Sequence, residues 1–158
     1  YVLERVFDAP RDLVWRTWTD RDLLARWYGP NVETVIHRLD LTPDGLWLAE
    51  MKWGDNARYE RIEYKEVDPP ERLVWLQSMA DADFNATANS MMPDWPRVLH
   101  TVVTFEEIGD KTKLRLVWTP YEATEAELAC FAGALANLDK GWGAGMAILE
   151  QLLAELQS

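Results

Sequence analysis

His37, Gln77 and a set of inward-patterned tryptophans are the residues of this chain whose types and spacing could do chemistry. Val35, His37 and Leu39 alternate with Thr34, Arg38 and Asp40, so His37 is expected on an inward strand face. An imidazole facing a cavity can serve as acid, base or ligand anchor. The alternative is a hydrogen-bonded histidine of the core or sheet edge. Gln77 shares its face with Leu73, Trp75 and Met79. A buried amide needs partners, so Gln77 is either a structural bridge or a ligand contact. Trp47, Met51, Trp53, Trp75 and Trp118 share the helix-facing side of the strands by the same parity, and Tyr64 lies on a neighbouring strand. His100 falls opposite Phe105 and is expected at the surface, and Tyr121 stands just before the last helix.

Other chemistries lack their signatures. The two histidines are far apart and no HxxxH or CxxC occurs, so no metal site is expected. There is no phosphate loop and no GxSxG. Gly141-x-Gly143-x-Gly145 lies inside a helical pattern and does not follow a strand, so it is not a dinucleotide fingerprint and no cofactor is expected. Cys130 is the only cysteine, which rules out an internal disulfide and suits a reducing cytoplasm. It stands beside Phe131, one step off the helix stripe, as a packing residue.

The elements that would position these side chains follow from periodicity. Leu128, Phe131, Leu135, Leu138, Trp142, Met146, Leu149, Leu153 and Leu156 recur at three- and four-residue steps, which predicts one long helix over 123–156. Thr124 is its N-cap, with Glu127 in capping-box register. Gly141, Gly143 and Gly145 predict a bend or a close backbone contact in mid-helix. Val2 to Phe7 reads as a first strand, and Asp8 as a cap for the helix that follows. Two short helices end at Gly29-Pro30, with Asp20 capping the second. From Glu33 to Thr119 the period is two, and turns at Pro43-Asp44-Gly45, Gly54-Asp55-Asn56, Asp68-Pro69-Pro70 and Gly109-Asp110 separate the strands. The inward face of the strand over 58–67 is open on the pattern. The expected layout is a single α+β domain over 1–158. About seven antiparallel strands curve around the terminal helix, leaving a ligand cavity between helix and sheet. Leu138, Trp142 and Met146 would line it from the helix.

The segment 80–96 is long and irregular, and Met91, Met92 and Trp95 give it the character of a lid edge. Hydrophobic residues make up 48% of the chain, which suits a packed core, and no apolar run approaches the ~18 residues of a membrane span. Tyr1 begins directly with strand-like sequence, so no leader segment is expected in what is given. The net charge of −11 argues against nucleic acid and anionic membranes as partners.

Several stretches resemble a known family. These are Phe7-Asp8-Ala9-Pro10 with Val14-Trp15, Trp18-Thr19-Asp20 and Leu24-Ala25-Arg26-Trp27-Tyr28-Gly29-Pro30. Asp40-Leu41-Thr42-Pro43-Asp44-Gly45, Val67 to Trp75, Val103 to Glu107, Thr112-Lys113-Leu114 and Gly141-Trp142 continue the series. Together they are similar to the START-like SRPBCC superfamily, in the branch named after the activator of the 90-kDa heat-shock protein ATPase. Thr42 and Asp44 depart from that branch's usual arginine and glycine. The resemblance implies a helix-grip fold. It also implies binding of a small apolar molecule, aromatic or lipid-like. A cyclase-, aromatase- or hydrolase-like enzyme using a cavity acid or base such as His37 is the second expectation. A chaperone-activating interaction module is the third, and a homodimer is the expected assembly.

Overall fold

The computed structural model describes residues 1–158. Strand β1 (Val2–Phe7) is followed by helices α1 (Arg11–Thr19) and α2 (Arg21–Trp27). Then come β2 (Glu33–Leu39), β3 (Leu46–Trp53), β4 (Asn56–Asp68), β5 (Arg72–Ala80), β6 (Ala86–Thr87), β7 (Leu99–Ile108) and β8 (Lys111–Pro120). The chain ends in α3 (Glu125–Leu156), a helix of 32 residues. The sheet is antiparallel in the order β1-β8-β7-β5-β4-β3-β2, with the two-residue β6 paired to β5 off that path. Curved sheet and long terminal helix make the helix-grip fold that the residue pattern implies. No helix is long and apolar enough to cross a membrane.

Local chemistry accounts for the ends of the helices. The Asp20 carboxylate accepts from the backbone N–H groups of Asp22 and Leu23 and starts α2. Thr124 and Glu127 form the reciprocal capping box at the start of α3. Glu127 also accepts from the Arg97 backbone N–H at 2.7 Å, tying the helix start to the entry of β7. Asp8 does not cap α1: the N-cap is Pro10, with no side-chain hydrogen bond. Gly29 ends α2 at φ +80, where a Cβ would meet Thr34 Oγ1 at 2.7 Å and Met51 Sδ at 3.1 Å.

Ladder register sets the inward face. Trp47, Ala49 and Met51 of β3 pair with Ile62, Glu60 and Arg58 of β4, so the open face of β4 is Arg58, Glu60, Ile62 and Tyr64. Strand β2 breaks the simple alternation. Ile36 pairs with Ala49 and Arg38 with Leu48, leaving His37 as the extra residue of a bulge. Thr34 and Ile36 therefore share the inward face with Met51 and Ala49, while Leu39 returns inward opposite Trp47. The expected inward position of His37 is corrected. Its side chain is 44% exposed on the outer face and binds Glu50 Oε1 through Nε2 at 2.8 Å.

A single cluster of 24 buried apolar residues fills the space between sheet and helices. Trp18, Trp27, Trp47 and Trp75 are fully buried in it, and α3 contributes Met146, Leu149, Leu152 and Leu153. The helix stripe is thus core-forming only in its C-terminal half. Between Glu125 and Ala144 only Phe131 is buried, whereas Leu128 and Leu135 are 50% and 40% exposed. Truncating the two halves should differ sharply. Leu149→Ala is expected to cost about 2–5 kcal/mol, and Leu128→Ala no more than about 0.5 kcal/mol, both measured by urea unfolding. Equal losses would show that the N-terminal half of α3 also packs on a core.

Candidate functional site

The middle of α3, from Asn137 to Gly145, roofs a cavity of about 390 Å³. The end of α2 supplies Trp27, the loop after it Tyr28, Gly29, Pro30 and Val32, and β8 supplies Trp118. The sheet floor is Met51, Arg58, Glu60 and Gln77, and α3 contributes Asn137, Leu138, Gly141, Trp142 and Gly145. This volume falls within the usual range for small-molecule sites, about 300–1,000 Å³. A second hollow of about 400 Å³ lies at the far end of α3, but only six residues around Phe7, Asp8 and Gln157 line it.

The wall is aromatic and its rings hold one another. Trp142 lies 5.3 Å from Trp118 and 6.5 Å from both Tyr28 and Trp18, while Tyr28 meets Trp47 edge-on at 4.7 Å. The indole N–H of Trp27 donates to the Thr17 carbonyl at 2.7 Å, which fixes that ring against α1. The glycines of α3 have the opposite effect to the predicted close contact. A Cβ built on Gly141, Gly143 or Gly145 meets nothing within 4 Å. Gly141 and Gly145 line the cavity, so what they leave open is cavity volume.

The floor carries a buried polar group. Tyr28 Oη donates to Glu60 Oε2 at 2.7 Å. Gln77 Oε1 accepts from the Trp75 indole at 3.2 Å, which turns its Nε2 toward Tyr28 Oη and Glu60 Oε2, each at 3.4 Å. Gln77 is therefore a structural bridge and a cavity-lining residue at once. Burial pushes the Glu60 carboxyl above its ordinary pKa, partly offset by the Arg58 charge and the Tyr28 hydrogen bond. Burial, then the Glu60 charge, holds the Tyr28 hydroxyl well above its ordinary value. The Trp118 indole N–H is buried without a partner.

Of the residues expected to line a ligand site, Met51, Gln77, Trp118, Leu138 and Trp142 do line the cavity. Trp47, Tyr64, Trp75 and Met146 are fully buried behind it. Trp53 has inward parity but sits at the strand end, 43% exposed. Nor does His37 reach the cavity, because its bulge turns it outward. The segment expected to form a lid lies elsewhere. Met91 and Met92 are 89% and 40% exposed, and Trp95 packs on Phe131 at 5.5 Å, toward the start of α3. Asx turns at Asp81 and Asn89 order this segment, and none of it lines the cavity. Tyr28, Arg58 and Glu60 were missed on sequence. Glu60 stands at the same parity as Ile62 and Tyr64, and that alternation was the available signal.

The sequence profile of the Activator of Hsp90 ATPase homolog 1-like protein family matches residues 8–154. The chain belongs to that family. Solved structures share the fold. A solution structure of a protein from Arthrobacter aurescens is 20% identical, with TM-score 0.81, covering 98% of this chain and 85% of that one. A crystal structure from Mycobacterium smegmatis is 26% identical, with TM-score 0.77, covering 96% and 88%. The family member from Silicibacter pomeroyi is 22% identical, with TM-score 0.72, covering 100% and 99%. No curated protein matches.

The raised pKa of Glu60 has a signed consequence for the stability of this family member. A raised folded value means that folding favours the protonated acid. That contribution is complete below the ordinary carboxylate range and is lost as pH rises through the folded value. Glu60→Gln does not titrate, so the variant should gain stability relative to the wild type as pH rises from about 4 to about 7. Urea unfolding at several pH values checks this, and a difference that is flat or of opposite slope would contradict it.

Proposed function

We propose that this chain binds a small, largely apolar, aromatic molecule in the cavity between α3 and the sheet. The observation that carries the reading is the pairing of an aromatic wall with glycines that keep the helix face open. Trp27, Tyr28, Trp118 and Trp142 present flat apolar surface from three separate elements. Helix interiors disfavour glycine by up to about 1 kcal/mol relative to alanine. Nothing packs close to these glycines, so sheet packing does not explain them. Space for a ligand does.

The polar groups give the ligand an orientation. Glu60 offers an acceptor at the floor, and the unpartnered Trp118 indole offers a donor at the wall. A ligand lying with its body against the tryptophans places its functional groups among these.

Filling the open space tests the reading. Gly145→Leu should lower the affinity for a neutral aromatic dye, N-phenyl-1-naphthylamine, by about tenfold or more. Folding stability should hold or rise, because leucine favours the helix. Leu135→Ala, on the exposed part of α3, should leave the affinity unchanged. Fluorescence titration reads all three. Equal affinity in the wild type and Gly145→Leu would place the dye outside the cavity and remove the proposal.

A further inference from the structure

Beyond an apolar ligand in general, the floor of the cavity points to a class of functional group. We infer that the ligand is a phenol, bound with its neutral O–H donated to the free oxygen of Glu60. This rests on the cavity-binding reading above and sharpens it.

The argument is one of donors and acceptors. A carboxyl oxygen that carries no proton accepts hydrogen bonds, so Glu60 can take a ligand O–H on the oxygen its protein partners leave free. Glu60 is 7% exposed, so bulk water reaches little of it. Both of its protein hydrogen bonds, from Tyr28 Oη and Gln77 Nε2, fall on Oε2. Oε1 receives none, and Glu60 lines the cavity. That oxygen opens on the cavity, where a ligand O–H can take the place of solvent as its hydrogen-bond donor.

Charge selects which donor. Arg58, an exposed residue, lines the same cavity, and its charge acts on Glu60 and on Tyr28. One cation and one anion make the cavity floor neutral in sum. An ammonium group would meet Arg58 as a like charge, and a carboxylate would meet Glu60 as one. A neutral hydroxyl meets neither penalty. Geometry favours placing that hydroxyl on an aromatic ring. Tyr28 sits between the two functions of the site, its hydroxyl on Glu60 and its ring 6.5 Å from Trp142. A planar ligand lying against the tryptophans with one edge on the floor delivers its ring substituent to Glu60. The Tyr28–Glu60–Gln77 group thus sets ligand specificity, and no step of bond breaking is involved.

Three probes of one shape test the inference without altering the protein. 2-Naphthol, 2-methoxynaphthalene and naphthalene differ only in the group offered to the floor. Calorimetric or fluorescence titration of the wild type near neutral pH is expected to show 2-naphthol binding about tenfold or more tighter than either of the others. In Glu60→Gln the amide oxygen can take the Tyr28 hydrogen bond, which turns an NH2 toward the ligand. The preference for 2-naphthol over naphthalene should then shrink to about threefold or less. If the three probes bind the wild type within about threefold of one another, and Gly145→Leu weakens all of them, the cavity binds aromatics and the phenol inference is overturned. A hydroxyl preference that survives intact in Glu60→Gln also overturns it. If no probe binds, the cavity-binding reading falls together with this inference.

Discussion

Everything at the proposed site depends on how one helix covers a sheet that is larger than its contact face. The C-terminal half of α3 seats Met146, Leu149, Leu152 and Leu153 into the tryptophan-rich core, and that packing fixes the helix axis. The middle of the helix, from Asn137 to Gly145, is then held over the ends of β3, β4, β5 and β8 as a roof. Its start is pinned separately by the Thr124–Glu127 capping box and the Arg97 backbone N–H. A helix fixed at one end by packing and at the other by hydrogen bonds can span a gap without filling it. Interior glycines at the cavity lining then add volume at the cost of helix propensity.

The same arrangement explains why a carboxylate is tolerated inside. Glu60 lies on the inward face of β4, next to Ile62 and opposite Ala49, where an apolar residue would be expected from the pleat. Its burial is opposed by the Tyr28 hydroxyl and the Gln77 amide, and by the positive charge of Arg58 two residues earlier on the same face. Tyr28 is itself positioned by the stop of α2, where Gly29 takes the left-handed conformation that lets the chain turn down toward β2. Backbone chemistry at the end of a seven-residue helix therefore decides where a phenolic hydroxyl meets a buried acid on another strand.

Much of this was legible in the residues. The capping box of α3, the Asp20 cap of α2, the helix stop at Gly29-Pro30 and the alternating strands each follow from local rules, and the structure contains all of them. What failed did so for physical reasons. Strict alternation put His37 inward, but a bulge inserts one residue and reverses the parity, and single-strand patterns do not show bulges. The helix stripe from Leu128 onward does not tell which of its residues are buried, because periodicity reports a stripe's direction and not what lies beneath it. Five of the expected lining residues reach the cavity, while Trp47, Tyr64, Trp75 and Met146 fill the core behind it. Parity assigns a side chain to a face and leaves its distance from the sheet end unset. Glu60 went unread because the charged strand β4 gave no clear apolar face on its own, and only its register with Trp47 and Met51 resolves it.

The central claim is that the gap beneath the middle of α3 is where a planar aromatic molecule binds. Amide and indole chemical shifts recorded during a titration with 2-naphthol test it most directly. The account predicts that the largest changes fall on the Trp118 and Trp142 indole N–H groups and the Gly141 and Gly145 amides, with Met91 and Leu128 unmoved. Changes centred on the exposed segment around Met91 to Trp95, or on Leu128 and Leu135, with the cavity glycines silent, would contradict it.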